Sequence, residues 1–236
     1  MEPQHIKAKR GDVAEKVVVS GDPARVTQLS GLLRRPKLVN ENRGFLTYTG
    51  EYQGERLTVA CHGIGGPSVA IVAEELIMLG AKAVVRLGSC GGLLKPMVIG
   101  DMVIANRAGY TSGALDSYFG RKIAPKPDRE LTELLVESAR RRRAKYYEGA
   151  VFSSDAFYAE VPDFTRRLRR KGYVAIEMED ATLFGLGKLR KVKTASLLMV
   201  ADNITEAQPI VDADALREHA AKSAKVVFAG LRRLRV

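Results

Sequence analysis

Short runs of apolar, often β-branched residues recur along this chain. Val17-Val18-Val19, residues 83–87 and residues 194–200 are apolar almost throughout. A strand with one wet face alternates apolar and polar residues, whereas a run apolar on both faces must be covered on both. Such runs separated by helical patterns indicate a sheet with helices on either side.

The strand at 17–19 stops at Gly21-Asp22-Pro23, and Pro23 suits the first turn of a helix reaching about Leu33. Residues 45–52 and 56–61 alternate around Gln53-Gly54, a hairpin pattern. His62-Gly63-Ile64-Gly65-Gly66-Pro67 reads as a glycine loop leading into a helix that ends at Gly80. A strand at 83–87 is expected to give way to a second glycine loop, Gly88-Ser89-Cys90-Gly91-Gly92. Further strands are expected at 101–106, 147–152, 174–178 and 194–200. Helices are expected at 131–141, 162–170, from the 174–178 strand to Leu189, and from Asp214 onward. Residues 109–127, rich in Gly, Ser, Pro and Tyr, read as a long surface loop. The expected fold class is α/β: one domain over residues 1–236, with a central mixed β-sheet flanked by helices on both faces.

The 236 residues suffice for one large core, and 46% of them are hydrophobic. No segment approaches the ~20 apolar residues of a membrane span, and the start of the chain lacks a signal-peptide core. Cys61 and Cys90 lie in or beside apolar runs, which suits buried thiols of a cytoplasmic protein. There is no CxxC, and the three histidines do not cluster with cysteines at metal-ligand spacing, so no metal is expected. Four Asn and four Gln beside abundant charge are compatible with a thermophilic source. The formal charge of +11 favours anionic partners. Much of it falls in runs at 140–143, 166–171 and 232–235, near helix ends where cations complement the dipole. No aromatic residues are interleaved as a single-strand stacking platform needs, so a nucleic-acid partner is not expected. Neither GxGxxG after the first strand nor GxxxxGK[ST] occurs, which disfavours dinucleotide and P-loop chemistry.

In open α/β sheets ligands collect at the carboxyl ends of strands. After the first strand come Gly21 and Arg25, a close backbone approach and a cation for one oxyanion. Arg86 stands inside an apolar strand, where an arginine is costly unless it meets an anion, and Ser89 follows it. Arg43, in Asn42-Arg43-Gly44, is a third anion candidate. Phe157 and Tyr158 are adjacent aromatics suited to walling a flat heterocycle. Glu177-Met178-Glu179 sets two acceptors for neighbouring hydroxyls around one apolar surface for a sugar. Asp202 ends an apolar strand, where desolvation raises a carboxyl pKa and prepares a general acid. Taken singly, each also has a plainer structural reading: a turn, a surface arginine, a core aromatic, a helix start.

Phosphate grip, hydroxyl acceptors, aromatic wall and acid together describe phosphate attack on a nucleoside. With these motifs in this order the chain resembles the purine nucleoside phosphorylase and uridine phosphorylase family of hexameric enzymes. It looks most like the archaeal purine nucleoside and 5′-methylthioadenosine phosphorylases. The resemblance covers essentially the whole chain and rests on His5, Gly21-Asp22-Pro23 with Arg25, Asn42-Arg43-Gly44 and Gly63-Ile64-Gly65. It continues through Arg86 to Gly91, residues 154–158, Glu177-Met178-Glu179 and Asp202.

The resemblance implies that Gly21, Arg25, Arg86 and Ser89 bind phosphate, with Arg43 supplied by a neighbouring subunit. It implies that His5, also from the neighbour, reaches the ribose 5′ position. Met178 and Glu179 would hold the ribose, Phe157 would stack on the base, and Asp202 would protonate purine N7. Ile64 and Ile176 become candidates for an apolar 5′ pocket, Glu177 a supporting carboxylate, and Arg217 a catalytic partner of Asp202. The implied activity is phosphorolysis of purine nucleosides without cofactor or metal, in a homohexamer arranged as a trimer of dimers. Uridine phosphorylase and a hydrolytic nucleosidase on the same fold are the alternatives. The uracil-reading Gln and Arg of uridine phosphorylases are missing from residues 153–158, and three arginines have no use in hydrolysis. Asp180, directly after Glu179, departs from the family, where a small residue is common; it is expected to stabilise a helix N-terminus.

Overall fold

The computed structural model describes residues 2–111, 113–159, 162–212 and 214–236. Nine strands and seven helices occur among them: β1 Lys16–Ser20, α1 Pro23–Ser30, β2 Arg34–Asn40, β3 Thr47–Tyr52, β4 Glu55–Cys61, α2 Gly66–Met78, β5 Ala83–Gly92, β6 Met102–Tyr110, α3 Ala114–Phe119, α4 Arg129–Arg141, β7 Tyr146–Ser153, α5 Pro162–Arg170, β8 Tyr173–Glu177, α6 Asp180–Arg190, β9 Lys193–Asn203 and α7 Arg217–Arg233.

All nine strands join one mixed sheet. Strand β1 lies between β4 and β5, parallel to both. The hairpin β3–β4 turns at Gln53 and Gly54, both at positive φ, the conformation a tight two-residue hairpin demands. Strand β9 runs parallel to β5 along its whole length and antiparallel to β6, β7 pairs with β6 and β8, and the end of β5 pairs with β8. Five strands therefore close into a ring, with β1, β4, β3 and β2 extending from β5.

The apolar strands are covered on both faces, as their composition requires. Val17 and Val19 pack toward α2 and α6, through Val69, Val72, Leu76, Leu183 and Phe184. Val18, one residue out of phase, faces α1, α4 and α7, through Leu29, Leu135, Val227 and Phe228. The period-two alternation of a strand thus divides one valine run between two helical layers. No helix among the described residues is long and apolar enough to cross a membrane.

Three expectations are corrected. Residues 34–40, read as no element, form β2: an edge strand, mostly exposed, whose charges and Pro36 hide it from a hydrophobic pattern. Within the expected loop at 109–127, β6 runs on to Tyr110 and α3 plugs Leu115 against α6, where Gly185 leaves room for it. The expected loop from Gly88 to Gly92 is strand, because β9 pairs with it residue by residue. Its glycines serve close approach rather than turning. A Cβ on Gly88 would stand 2.6 Å from the Arg86 guanidinium carbon, and one on Gly91 equally near Ile204.

Candidate active site

Strands β1, β4, β5 and β9 are mutually parallel, so their carboxyl ends meet on one side of the sheet. A cavity of about 820 Å³ opens there. Its walls include Gly21 and Arg25 after β1, Gly63 and Ile64 after β4, Arg86 and Ser89 on β5, and Asp202 on β9. Glu177, Met178 and Glu179 come from the end of β8, and Phe157 and Tyr158 from the turn after β7. Ten of the thirteen residues singled out for phosphate, nucleoside and catalysis, all but His5, Arg43 and Arg217, thus share one space, with Tyr158 beside them.

Asp22 caps α1, its side chain accepting from Ala24 N at 2.8 Å, with Pro23 in the first turn. The turn brings Gly21 so near the next loop that a Cβ would lie 2.7 Å from the Gly63 carbonyl oxygen. Arg25 is buried on α1, its Nη1 3.5 Å from Ser20 Oγ. Burial pushes its pKa below the ordinary value, against the pull of Asp22. Behind them His62 is wholly buried, and burial together with the Arg86 charge holds its imidazole well below the usual range.

Arg86 is the centre of the floor. Its Nη2 donates to Glu179 Oε2; its Nη1 lies 2.9 Å from Asp180 Oδ1 and 3.2 Å from Glu177 Oε2. Burial alone would weaken the cation, but Glu179, Asp180 and Glu177 outweigh it and hold the pKa above its ordinary value. The three carboxylates are unequal. Glu179 Oε1 also accepts from Gly65 N at 2.7 Å, fastening it to the start of α2. Glu177 accepts from Ser153 Oγ and, at 2.7 and 2.9 Å, from the amides of Glu179 and Asp180, so it caps α6 from the preceding strand. Burial and the neighbouring charges raise its pKa despite Arg86.

Asp180, expected at a helix start, points into the protein. It is fully buried, bonded to Arg86 and, at 2.5 Å, to Ser196 Oγ on β9. Burial, then the Glu177 charge, push its carboxyl up to about 7. Nothing in the sequence separates an inward-facing acid at this position from one that faces water near the helix dipole.

Asp202 is half-buried at the end of β9, and burial alone pushes its carboxyl up to about 6. Its aim depends on a bulge. Cys90 pairs with Val200 but Gly91 pairs with Asp202, leaving Ala201 as the extra residue. Were Ala201 paired regularly with Gly91 instead, Asp202 would share the face of Val200, which lies in the apolar core. Ile176, expected with Ile64 for an apolar pocket, lines the cavity together with Ile204 and Ile210, which the motifs did not announce. Phe157 and Tyr158 are exposed and stand edge to face, with centroids 5.2 Å apart.

Three expected residues lie elsewhere. The His5 Nδ1 is 2.7 Å from Glu75 Oε1, and its carbonyl accepts from Asn42 Nδ2 at 2.8 Å. Arg43, beside Asn42, is exposed with φ of 57°. Phe45, next to this pair, packs on Gly63 at the cavity edge. Arg217 opens α7, paired with Asp214, its carbonyl held by Gln28 Nε2 at 2.7 Å, outside the cavity walls.

Comparison with known proteins meets this geometry. Residues 15–233 match the family described as the Phosphorylase superfamily. A DeoD-type purine nucleoside phosphorylase of Hahella chejuensis is 40% identical over 210 residues, 86% of this chain and 88% of its own. A guanosine phosphorylase of Halorubrum lacusprofundi is 34% identical over 200 residues, covering 85% and 83%. A uridine phosphorylase of Thermococcus kodakarensis is 34% identical over 212 residues, covering 84% and 76%.

Proposed function

The chain belongs to the phosphorylase superfamily, and from that premise we infer that it cleaves purine nucleosides with phosphate, giving free base and ribose 1-phosphate. One observation carries the purine assignment: a carboxyl raised to about 6 shares a cavity with Arg25, Arg86 and Glu179. An acid in this range gives a proton to a departing purine nitrogen near neutral pH.

In the proposed mechanism, phosphate is held by Gly21, Arg25, Arg86 and Ser89, beneath C1′. Glu179 accepts from the ribose hydroxyls over Met178, Phe157 flanks the base, and Glu177 holds the floor. As the glycosidic bond stretches, the sugar gains positive charge that the phosphate dianion stabilises. The electron pair of the broken bond stays on the base, which takes the Asp202 proton. A phosphate oxygen then bonds C1′. No metal or cofactor enters the scheme. Ile64, 76% exposed at the cavity wall, gives the 5′ end an apolar neighbour that suits a methylthio group as well as a hydroxyl.

His5 and Arg43 act across a subunit boundary in this scheme, in a homo-oligomer of the trimer-of-dimers type. Neither lines the cavity of its own chain, and the Asn42–His5 bond keeps the two together beside it.

The test is release of free base from inosine, guanosine, adenosine, 5′-methylthioadenosine and uridine, with and without phosphate. Phosphate-dependent release from purine substrates is expected. Release without phosphate would make the protein a nucleosidase, and preference for uridine would move it to the pyrimidine branch.

A further inference from the structure

Asn203 follows Asp202 and is 1% exposed. Its Nδ2 donates to the carbonyls of Leu94, Lys95 and Met97 at 3.1, 3.3 and 2.8 Å. Its Oδ1 accepts from the amides of Thr205 and Glu206 at 3.0 and 3.3 Å, and its own carbonyl accepts from Gln208 N at 3.0 Å. An amide side chain offers two N–H groups and one carbonyl oxygen, and here every one is engaged. A turn-capping role accounts for the Oδ1 bonds alone. The Nδ2 bonds run the other way, to the segment that follows β5.

The clamp sits where the sheet most needs one. The bulge at Ala201 gives up regular pairing one residue before Asp202, and a bulge leaves its extra residue without a ladder partner. Beyond it, Gly92 pairs with Asn203, and Ile204 lies over Gly91, whose Cβ position is 3.2 Å from Asp202 Oδ1. Asn203 thus ties both flanks of the bulge: the 94–97 turn on one side and the 204–206 turn, with cavity residue Ile204, on the other. Fully satisfied buried amides rigidify what they join.

We propose that Asn203 is a positioning residue that fixes the aim of Asp202 at the nucleobase. The proposal rests on the purine phosphorylase assignment above and concerns proton delivery, not phosphate or ribose binding. A displacement of about 1 Å in a catalytic group costs on the order of 10²-fold in rate.

The experiment compares inosine with 7-methylinosine in wild type, Asn203→Ala, Asn203→Asp and, as calibration, Asp202→Asn. The 7-methylated base is already cationic at the imidazole ring and leaves without taking a proton at N7. The expected result is a fall in kcat on inosine of roughly 10- to 100-fold for Asn203→Ala. On 7-methylinosine its kcat should stay within about threefold of wild type, and KM for phosphate within about twofold, in line with a role through Asp202 alone. Asn203→Asp keeps the acceptor and loses the donors, so it serves if the alanine variant does not fold. Equal losses on both nucleosides, or an unchanged inosine rate, would overturn the proposal. Failure of the wild type to cleave inosine with phosphate would instead overturn the functional assignment, and that arm is read first.

Discussion

Arg86 and Glu179 hold each other in the cavity floor, Nη2 to Oε2, with Glu179 also fastened to the Gly65 amide. The cation proposed for phosphate and the carboxylate proposed for ribose are therefore one ion pair before either substrate arrives. Phosphate reaching Arg86 competes with Glu179 for the guanidinium and frees acceptor capacity for the ribose. Glu179→Gln keeps the shape but loses the charge. A hydrogen bond to a charged group contributes about 1.5–3 kcal/mol, so kcat/KM for nucleosides should fall roughly 10- to 150-fold. Steady-state kinetics at saturating phosphate measures it, and a change confined to KM for phosphate would refute the ribose role.

Removing the cation should be costly to the fold itself. Arg86→Met leaves Glu177, Glu179 and Asp180 close together in a buried site without the cation they share. Breaking a buried ion pair on one side costs about 3–5 kcal/mol. Denaturant unfolding should show that loss, and phosphate-dependent turnover should disappear with it. A stability within 1 kcal/mol of wild type, on the order of what a surface site gives, would mean the carboxylates are not charged together.

Asp202 governs the pH profile. Its carboxyl, raised to about 6 by burial, must be protonated to serve as acid. The rate on purine nucleosides should therefore decline as pH rises through about 6, and Asp202→Asn should lose both that limb and roughly 10²–10⁴-fold in kcat. A variant with near-normal turnover of inosine would remove Asp202 from the mechanism.

Asp180 makes stability depend on pH. Its folded pKa, about 7, lies above the ordinary 3.8, so folding favours the protonated form. The stability this contributes is fully present below about pH 4 and is lost as pH rises through 7. Glu177 is raised as well, and its charge acts on Asp180, so the two titrations depend on each other. Asp180→Asn should gain in melting temperature relative to wild type as pH goes from 4 to 7. A constant difference across that range would show that Asp180 does not take up the proton.

Shared sites make a mixing prediction. Arg43→Ala and Asp202→Asn should each be nearly inactive. Unfolded together and refolded, the mixture should regain activity, because some sites then combine an intact Arg43 from one chain with an intact Asp202 from another. Refolded mixtures no better than the mean of the two pure variants would place Arg43 outside the site.

The sequence made the layers legible because an apolar run such as Val17-Val18-Val19 has few other uses than a strand covered on both faces. The cavity was legible for the same topological reason: residues after parallel strands meet at one end. What stayed hidden depended on pairing between distant segments. Gly88–Gly92 carries turn residues, yet β9 draws it into the ladder. Asp180 and Asn203 look like a helix start and a turn residue. Their directions are fixed by Arg86, Ser196 and three distant carbonyls, none of which a local pattern reports. Arg217 stands at a helix start, and its neighbour Asp214 holds its side chain.

The ring formed by β5, β9, β6, β7 and β8 has a consequence for how this protein behaves when concentrated or heated. Closure leaves β2 as the free margin of the sheet. An open margin is a template for strands of other molecules, and β2 meets that hazard with Arg34, Arg35, Pro36 and Lys37 on an exposed face. Repulsion between like-charged margins, and a proline that cannot donate to an incoming strand, keep copies from zippering together through their sheets. Replacing these four residues with neutral strand formers would open the chain to fibrillar aggregation while leaving the distant cavity untouched.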